Sequence, residues 1–191
     1  MIGDLTNEEL RERIERFDFS ADEILVLCQR AIERDPDFQL AHRELGWAFR
    51  DENEIEKALY HIRRAIELDP TDGRAHIYLG NILWGLYDYA AAEAAFQTAI
   101  SVWPESSVPY WWLAIFYDYE KSQRLAGRFY RMALEIDPND TVALSLYGQF
   151  LRSQHRPVKA RRIFQRLLSI EPDNQRANAG LFEAILESQH R

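Results

Sequence analysis

Few residues of this chain have the types and spacing that catalysis or metal binding requires. Cys28 is the one cysteine, which excludes an internal disulfide and a cysteine-based zinc site. The sequence has no glycine-rich phosphate loop, no Gly-x-Ser-x-Gly and no His-Glu-x-x-His. Many acidic residues stand where carboxylates cap helices or turns, including those before prolines: Asp35, Asp69 and Asp137. We therefore predict a non-enzymatic chain with no catalytic residue, no metal site and no cofactor.

The histidines show no ligand spacing either. His42 and His76 are 34 residues apart, at equivalent positions of the repeat described below. Equivalent points of adjacent helix pairs lie roughly 10 Å apart, whereas a zinc ligand lies about 2 Å from its metal. One ion cannot join both, so the two histidines are predicted to pack in the interior. His61, His155 and His190 form no ligand pattern.

Composition limits the classes of function further. The chain has 191 residues, is 47% hydrophobic and carries a formal net charge of −8. No apolar run approaches the roughly 20 residues that span a bilayer, so we predict no transmembrane segment. The N-terminal MIGDLTNEELRERIERF lacks the apolar stretch of a signal peptide, which favours a cytoplasmic location. The negative charge argues against nucleic-acid binding, because phosphates require basic surface.

A period of 34 residues organises the whole chain. Each period holds two helical stretches, for example 39–50 and 54–68, in which Ala58, Ile62 and Ala65 follow helical spacing. A proline ends the second stretch, because it cannot continue a helix. Thr6-x-x-Glu9 and Ser20-x-x-Glu23 indicate capping boxes at two helix starts. The periodic prolines are Pro36, Pro70, Pro104, Pro138 and Pro172.

These units resemble tetratricopeptide repeats (TPRs), whose pattern is W-x2-L-G-x2-Y, then A-x3-F-x2-A, then P. The second 34-residue repeat carries that pattern as His42, Leu45, Gly46, Phe49, Ala58, Ile62, Ala65 and Pro70. The resemblance implies an all-α, right-handed superhelical solenoid of antiparallel helix pairs with about eleven helices. Residues 1–191 would form a single TPR domain. It would comprise a degenerate first repeat (5–38), repeats at 39–72, 73–106, 107–140 and 141–174, and a C-terminal capping helix (175–191).

In each unit, small residues are expected to let the two helices approach closely, while large residues fill the space beside them. The pairs would bury their apolar faces only against neighbouring pairs. Polar residues at both ends, such as Glu8, Glu9, Glu183 and Glu187, suit the ends of such a stack. The chain is therefore expected to be complete as a folding unit. Cys28 falls at a core position and is predicted to be a buried, inert thiol.

The resemblance also implies that a stripe on each first helix lines a concave groove that holds a peptide or a partner helix. Tryptophans 47, 84 and 111 lie on that stripe, where core packing does not require them, and exposed aromatic residues beside arginine are typical of binding hot spots. The alternative is that these tryptophans fill the interior or a self-association face. The predicted groove residues are Arg43, Trp47, Arg50, Arg74, Ile77, Asn81, Trp84, Trp111, Trp112, Ile115, Asp118 and Tyr119.

Charge changes sign along the chain. Residues 1–70 hold 18 acidic and 10 basic residues, and residues 152–191 hold 4 acidic and 8 basic ones. The basic residues cluster in 152–166, and this basic segment is either a solvated outer face or an electrostatic docking patch for an acidic partner. The candidate docking residues are Arg152, Arg156, Lys159, Arg161, Arg162 and Arg166.

Together these features predict a non-catalytic scaffold or adaptor that binds a protein or a peptide. One alternative is a homo-oligomer assembled head to tail, in which the acidic N-terminal surface of one copy meets the basic surface of the next. Another is a bacterial chaperone for secretion or assembly, which small TPR proteins sometimes resemble. A repeat fold supports many unrelated functions, so the identity of the partner does not follow from it.

Overall fold

The computed structural model describes residues 5–16 and 21–189, and in those residues it contains eleven α-helices and no strand. The all-α fold and the number of helices are confirmed. No helix among these residues is long and apolar enough to cross a membrane. The helices are α1 (Asn7–Arg16), α2 (Ala21–Arg34), α3 (Gln39–Asp51), α4 (Ile55–Leu68), α5 (Gly73–Gly85), α6 (Tyr89–Val102), α7 (Val108–Tyr119), α8 (Gln123–Ile136), α9 (Thr141–Ser153), α10 (Pro157–Ile170) and α11 (Gln175–Gln189).

The chain divides into two compact units, Met1–Trp103 and Pro104–Arg191, called unit one and unit two below. In unit one, α3 packs on α4 and α5 packs on α6. In unit two, α7 packs on α8, α9 on α10, and α11 on both α9 and α10. Consecutive helices thus form the pairs that the 34-residue period predicts, and α11 is the expected single C-terminal helix.

A left-handed residue ends the first helix of four successive pairs. In unit one, the N–H of Glu54 donates to the carbonyl of Phe49 at 2.8 Å, and in unit two Ser122 donates to Tyr117 at the same distance. This bond across six residues is a Schellman motif, which places its next-to-last residue in the left-handed region. Glycine is common there, yet this chain uses other residues, at φ values between 53° and 63°: Asn53, Tyr87, Lys121 and His155.

Side chains fix the start of the helices and the turns that precede them. The predicted capping box at Thr6 and Glu9 is confirmed, since the backbone N–H of each donates to the side chain of the other, at 2.7 and 3.2 Å. The second predicted box, at Ser20, lies outside the described residues. In four turns, the carbonyl of the periodic proline accepts a hydrogen bond from the side chain six residues later: His42, His76, Tyr110 and Asn178.

Within each pair, the two helices meet where a small residue faces a large one. A Cβ added to Gly46 would lie 2.4 Å from Cγ1 of Ile62, and one added to Gly148 would lie 2.6 Å from Cε1 of Phe164. Ile62 and Phe164 are fully buried. The predicted close approach of the paired helices is therefore present in both units, and it leaves no room for a methyl group at these glycines.

We expect the substitution Gly46→Ala to destabilise the protein. Forcing a methyl group against Ile62 costs about 1–3 kcal/mol, which exceeds the gain of up to about 1 kcal/mol in helix propensity. Gly85→Ala is the matched control, because a Cβ at this helical glycine meets nothing within 4 Å. Urea denaturation should show a lower free energy of unfolding for Gly46→Ala and an equal or higher one for Gly85→Ala. Equal stability of the two variants would contradict the packing argument.

Candidate peptide-binding surface

Helices α3 and α5 of unit one bring three predicted groove residues together with a neighbouring tyrosine. They are Trp47, Arg50, Asn81 and Tyr78. The ring of Trp47 stacks on Tyr78 with centroids 4.4 Å apart, and the guanidinium of Arg50 lies 4.0 Å from the Trp47 ring centroid. Arg50 also donates to Oδ1 of Asn81 at 2.5 Å. This cluster joins two consecutive repeats. Tyr78 was missed by the sequence reasoning, although it lies one residue from the predicted stripe.

A cavity of about 400 Å³ opens at the N-terminal ends of the same two helices. Its wall includes two predicted groove residues, Arg43 and Arg74, together with Arg11 and Trp103. The guanidinium of Arg74 lies 5.9 Å from the Trp103 ring centroid. Trp103 was not predicted, because it follows α6 and directly precedes the periodic proline. We use the name α3–α5 face for the residues that line this cavity together with Trp47, Arg50, Tyr78, Asn81 and Trp84.

Arg43 is already engaged inside the protein. It is 8% exposed and pairs with Glu44 at 2.7 Å and with Asp72 at 2.9 Å. Asp72 also accepts from Gln39 and caps α5 by accepting from the backbone N–H of Arg74. Burial acts against the charged form of Asp72, but Arg43 and these hydrogen bonds lower its pKa below the usual value. A buried pair of this kind links the two repeats, so Arg43 has a structural role.

One predicted groove residue is placed differently. Ile77 is only 1% exposed and packs in the interior, so its side chain does not line the surface. The prediction for Ile77 was wrong because the stripe had been assigned by repeat position, without regard to the apolar contacts that α5 makes on that side. Five other groove residues are half-buried, which leaves part of each side chain accessible: Trp47, Arg50, Arg74, Asn81 and Trp84.

The remaining predicted groove residues lie on α7 in unit two. Trp111 and Trp112 are half-buried and stack with ring centroids 5.2 Å apart. Ile115 and Asp118 are also half-buried, and burial raises the pKa of Asp118 above its ordinary value. Tyr119 is 59% exposed at the end of the helix. Unit two therefore presents an aromatic surface of its own on α7.

The predicted electrostatic docking residues separate into two groups. Arg152 pairs with Glu183 at 2.5 Å and with Glu187 at 3.3 Å, so it ties α9 to α11. Arg161 is half-buried. The other four are exposed on or just before α10, and none forms an ion pair in the part of the chain that the structure describes: Arg156, Lys159, Arg162 and Arg166.

Titratable groups elsewhere serve the fold. Cys28 is fully buried, as predicted, and burial raises the pKa of its thiol, which disfavours the reactive thiolate. His42 and His61 approach each other with their Nδ1 atoms 3.0 Å apart, a contact that the sequence reasoning missed. Among the described residues, no group of three or more His, Cys, Asp or Glu side chains is arranged to hold a metal ion.

Comparison with known families identifies the repeat. A tetratricopeptide repeat family model matches residues 39–72, and a second one matches residues 77–141. Together the two matches cover just over half of the chain. The chain belongs to the tetratricopeptide repeat family. TPR proteins are generally non-catalytic scaffolds, and the repeats of this chain support a scaffold for protein–protein interaction.

Relatives of this TPR protein include one large subunit and several solved structures. It is 28% identical over 149 residues to anaphase-promoting complex subunit 3 of Schizosaccharomyces pombe (strain 972 / ATCC 24843). That match covers 78% of this chain and only 22% of the subunit, so the chain spans less than a quarter of that relative. The structure resembles TTC0263, a thermophilic TPR protein in Thermus thermophilus, with a TM-score of 0.80 at 17% identity, covering 93% of this chain and 97% of TTC0263.

A second solved structure is YrrB, a TPR protein with an unusual peptide-binding site. The TM-score is 0.59 at 22% identity, and the alignment covers 86% of this chain and 84% of YrrB. At these levels of identity the two structural likenesses establish the common TPR fold.

The His42–His61 pair predicts a pH-dependent stability. His42 donates from Nε2 to the carbonyl of Pro36, so its Nδ1 accepts from Nδ1–H of His61, and protonating His42 at Nδ1 would break this contact. Burial and the neighbouring His42 lower the pKa of His61 to about 4, and burial also lowers the pKa of His42. Between pH 4 and the ordinary histidine pKa of about 6.5, the unfolded chain then binds more protons than the folded protein. The free energy of unfolding should fall as the pH falls through this range.

The variant His61→Phe tests this account, since Phe129 occupies the equivalent position in unit two and stacks on Tyr117 there. Because the ring is partly exposed, solvent screening reduces the effect, and we expect the loss of stability between pH 7 and pH 5 to shrink by about 1 kcal/mol. The measurement is urea denaturation at both pH values. His155→Asn, at an exposed histidine, is the control and should keep the wild-type pH dependence; an unchanged dependence in His61→Phe would refute the assignment.

Proposed function

We propose that this TPR protein holds a segment of a partner protein on the α3–α5 face of unit one. The observation that carries the proposal is the cluster of Trp47, Tyr78, Arg50 and Asn81, which is preassembled beside the arginine-lined cavity. Half-buried aromatic rings with fixed partners lose little conformational freedom when a ligand binds. Aromatic and arginine side chains are also the types that dominate binding energy at protein interfaces.

The face can distinguish between ligand side chains. The carboxylates of Asp69 and Asp72 line the cavity beside its three arginines, and Asp72 already neutralises Arg43. Arg74 lines the cavity, and Arg50 lies against Trp47 and pairs with Asp51 at 2.7 Å. We assign these two cations to acidic groups of the ligand, while Trp84 and Trp103 would contact its apolar groups. This arrangement favours a segment that combines an apolar side chain with an acidic one.

Two comparisons support a role in holding partner segments. YrrB is a TPR protein with a peptide-binding site, and anaphase-promoting complex subunit 3 belongs by name to a multi-subunit complex. Because this chain spans 22% of that subunit, the likeness concerns the repeat region. It supports assembly with other proteins as the general activity.

The test is selection of peptides from a displayed random library against the intact chain, followed by fluorescence anisotropy with the selected peptides. The substitutions Trp84→Ala and Arg74→Gln should each weaken binding by about tenfold or more, as at interface hot spots. Circular dichroism should show that both variants retain the wild-type helix content.

Tyr60→Ala is the matched control for this experiment. Tyr60 is an exposed aromatic residue on α4, 64% accessible, and lies outside the α3–α5 face. Its removal should leave the affinity unchanged. If the selected peptides bind Trp84→Ala and Arg74→Gln as tightly as the wild type, the α3–α5 face is not the binding surface.

A second candidate function is head-to-tail self-assembly. It is favoured by the exposed cations Lys159, Arg162 and Arg166 on α10, which have no acidic partner in the described residues, and by the net charge of −8 in residues 1–70. Opposite charges on two different surfaces of one chain produce a heterologous contact, which repeats from copy to copy.

Sedimentation velocity at low and high salt tests this second candidate. Screening weakens contacts between exposed charges, so assembly should appear at low salt and disappear at high salt. The double variant Lys159→Glu, Arg162→Glu should remain monomeric at both. A wild-type protein that stays monomeric at high concentration and low salt would exclude self-assembly through these surfaces.

A further inference from the structure

A separate cavity in unit two has the composition of an anion-binding site. It encloses about 280 Å³ between α8, α9 and the turn before α10. Its lining contains three arginines and two glutamines but no carboxylate. The lining residues are Gln123, Arg124, Gly127, Arg131, Tyr147, Phe150, Leu151, Gln154 and Arg156.

The three arginines are available for a ligand. Arg124, Arg131 and Arg156 are exposed, and none of their guanidinium groups forms a hydrogen bond or ion pair in the part of the chain that the structure describes. They differ in this respect from Arg43 and Arg152, which are paired with acids. Three unpaired positive charges around one small cavity create a local potential that favours an anion.

The backbone explains why the cavity exists. Arg124 and Arg131 are seven residues apart on α8 and lie on one face, with Gly127 between them. A Cβ at Gly127 would lie 3.2 Å from Cε1 of Phe150, so the glycine lets the phenyl ring approach and leaves the space above it open. Arg156 reaches the same cavity because it follows the left-handed residue His155, and its N–H donates to the carbonyl of Leu151 at 2.9 Å.

We propose that this cavity binds an acidic segment of a partner protein, in which carboxylates flank an apolar side chain. Guanidinium groups bind carboxylates through paired, charge-assisted hydrogen bonds. The apolar and aromatic floor of Tyr147, Phe150 and Leu151 suits the apolar residue between them. The volume is slightly below the roughly 300–1,000 Å³ of small-molecule sites, which fits one or two side chains of a segment. The site lies wholly within unit two and does not depend on the α3–α5 face.

The test uses a fluorescein-labelled peptide, Glu-Asp-Leu-Asp-Glu, and fluorescence anisotropy with the full chain. We expect the double variant Arg124→Gln, Arg131→Gln to bind the peptide about tenfold more weakly or worse. Arg128→Gln, Arg176→Gln removes the same charge at exposed positions outside the cavity and should change the affinity by less than about twofold. The amide peptide Gln-Asn-Leu-Asn-Gln should not bind.

Three results would overturn the proposal. Equal weakening by the two double variants would show unspecific attraction to basic surface. Binding of a phosphotyrosine peptide without binding of the carboxylate peptide would assign the site to a different ligand. Loss of self-association in Arg124→Gln, Arg131→Gln, with no binding of the acidic peptide, would make a second copy the occupant. Because the α3–α5 face also accepts acidic and apolar side chains, the same titration is repeated in the Trp84→Ala background. The loss caused by Arg124→Gln, Arg131→Gln should be the same there, which separates this result from the test of the α3–α5 face.

Discussion

The structure depends on the distance at which the two helices of each repeat meet. Gly46, Gly80 and Gly148 each face a large buried side chain sixteen residues later, with room for a hydrogen atom but not for a methyl group. Close-packed interiors penalise such an added group strongly. The position recurs every 34 residues, with Ala114 in place of glycine in one repeat. The contact fixes the helix pairs from which both units are built.

A second constraint, present at two repeat boundaries, joins one pair to the next through the start of the following helix. Asp72 caps α5 and accepts from Gln39 and Arg43 of the preceding repeat. In unit two, Asp140 caps α9 and accepts from Ser107, which is equivalent to Gln39. The same carboxylate thus serves its own helix and the neighbouring repeat. Side chains that form these links are already bonded within the protein and are not available to a ligand.

The sequence predicts what the period determines and misses what depends on individual side chains. The helix pairs and the buried thiol of Cys28 follow from position in the repeat, and the Thr6 capping box follows from its local Thr-x-x-Glu pattern. Ile77 was misplaced because neighbouring helices determine which face of α5 is covered. The His42–His61 contact was missed because it joins residues nineteen apart on two helices, and their distance depends on the turn between them.

Availability of charge, more than its amount, determines where this protein can bind an acidic partner. The basic segment 152–166 suggested a single docking patch, yet Arg152 forms ion pairs with Glu183 and Glu187 of the last helix. Arg124 and Arg131 lie outside that segment, in a part of the chain with negative net charge, and they surround a cavity without an acid. A buried or paired arginine stabilises the stack of repeats, whereas an unpaired one beside an apolar floor offers both charge and contact area. In unit two, the cations that the internal ion pairs leave unpaired therefore mark the candidate surface for an acidic ligand.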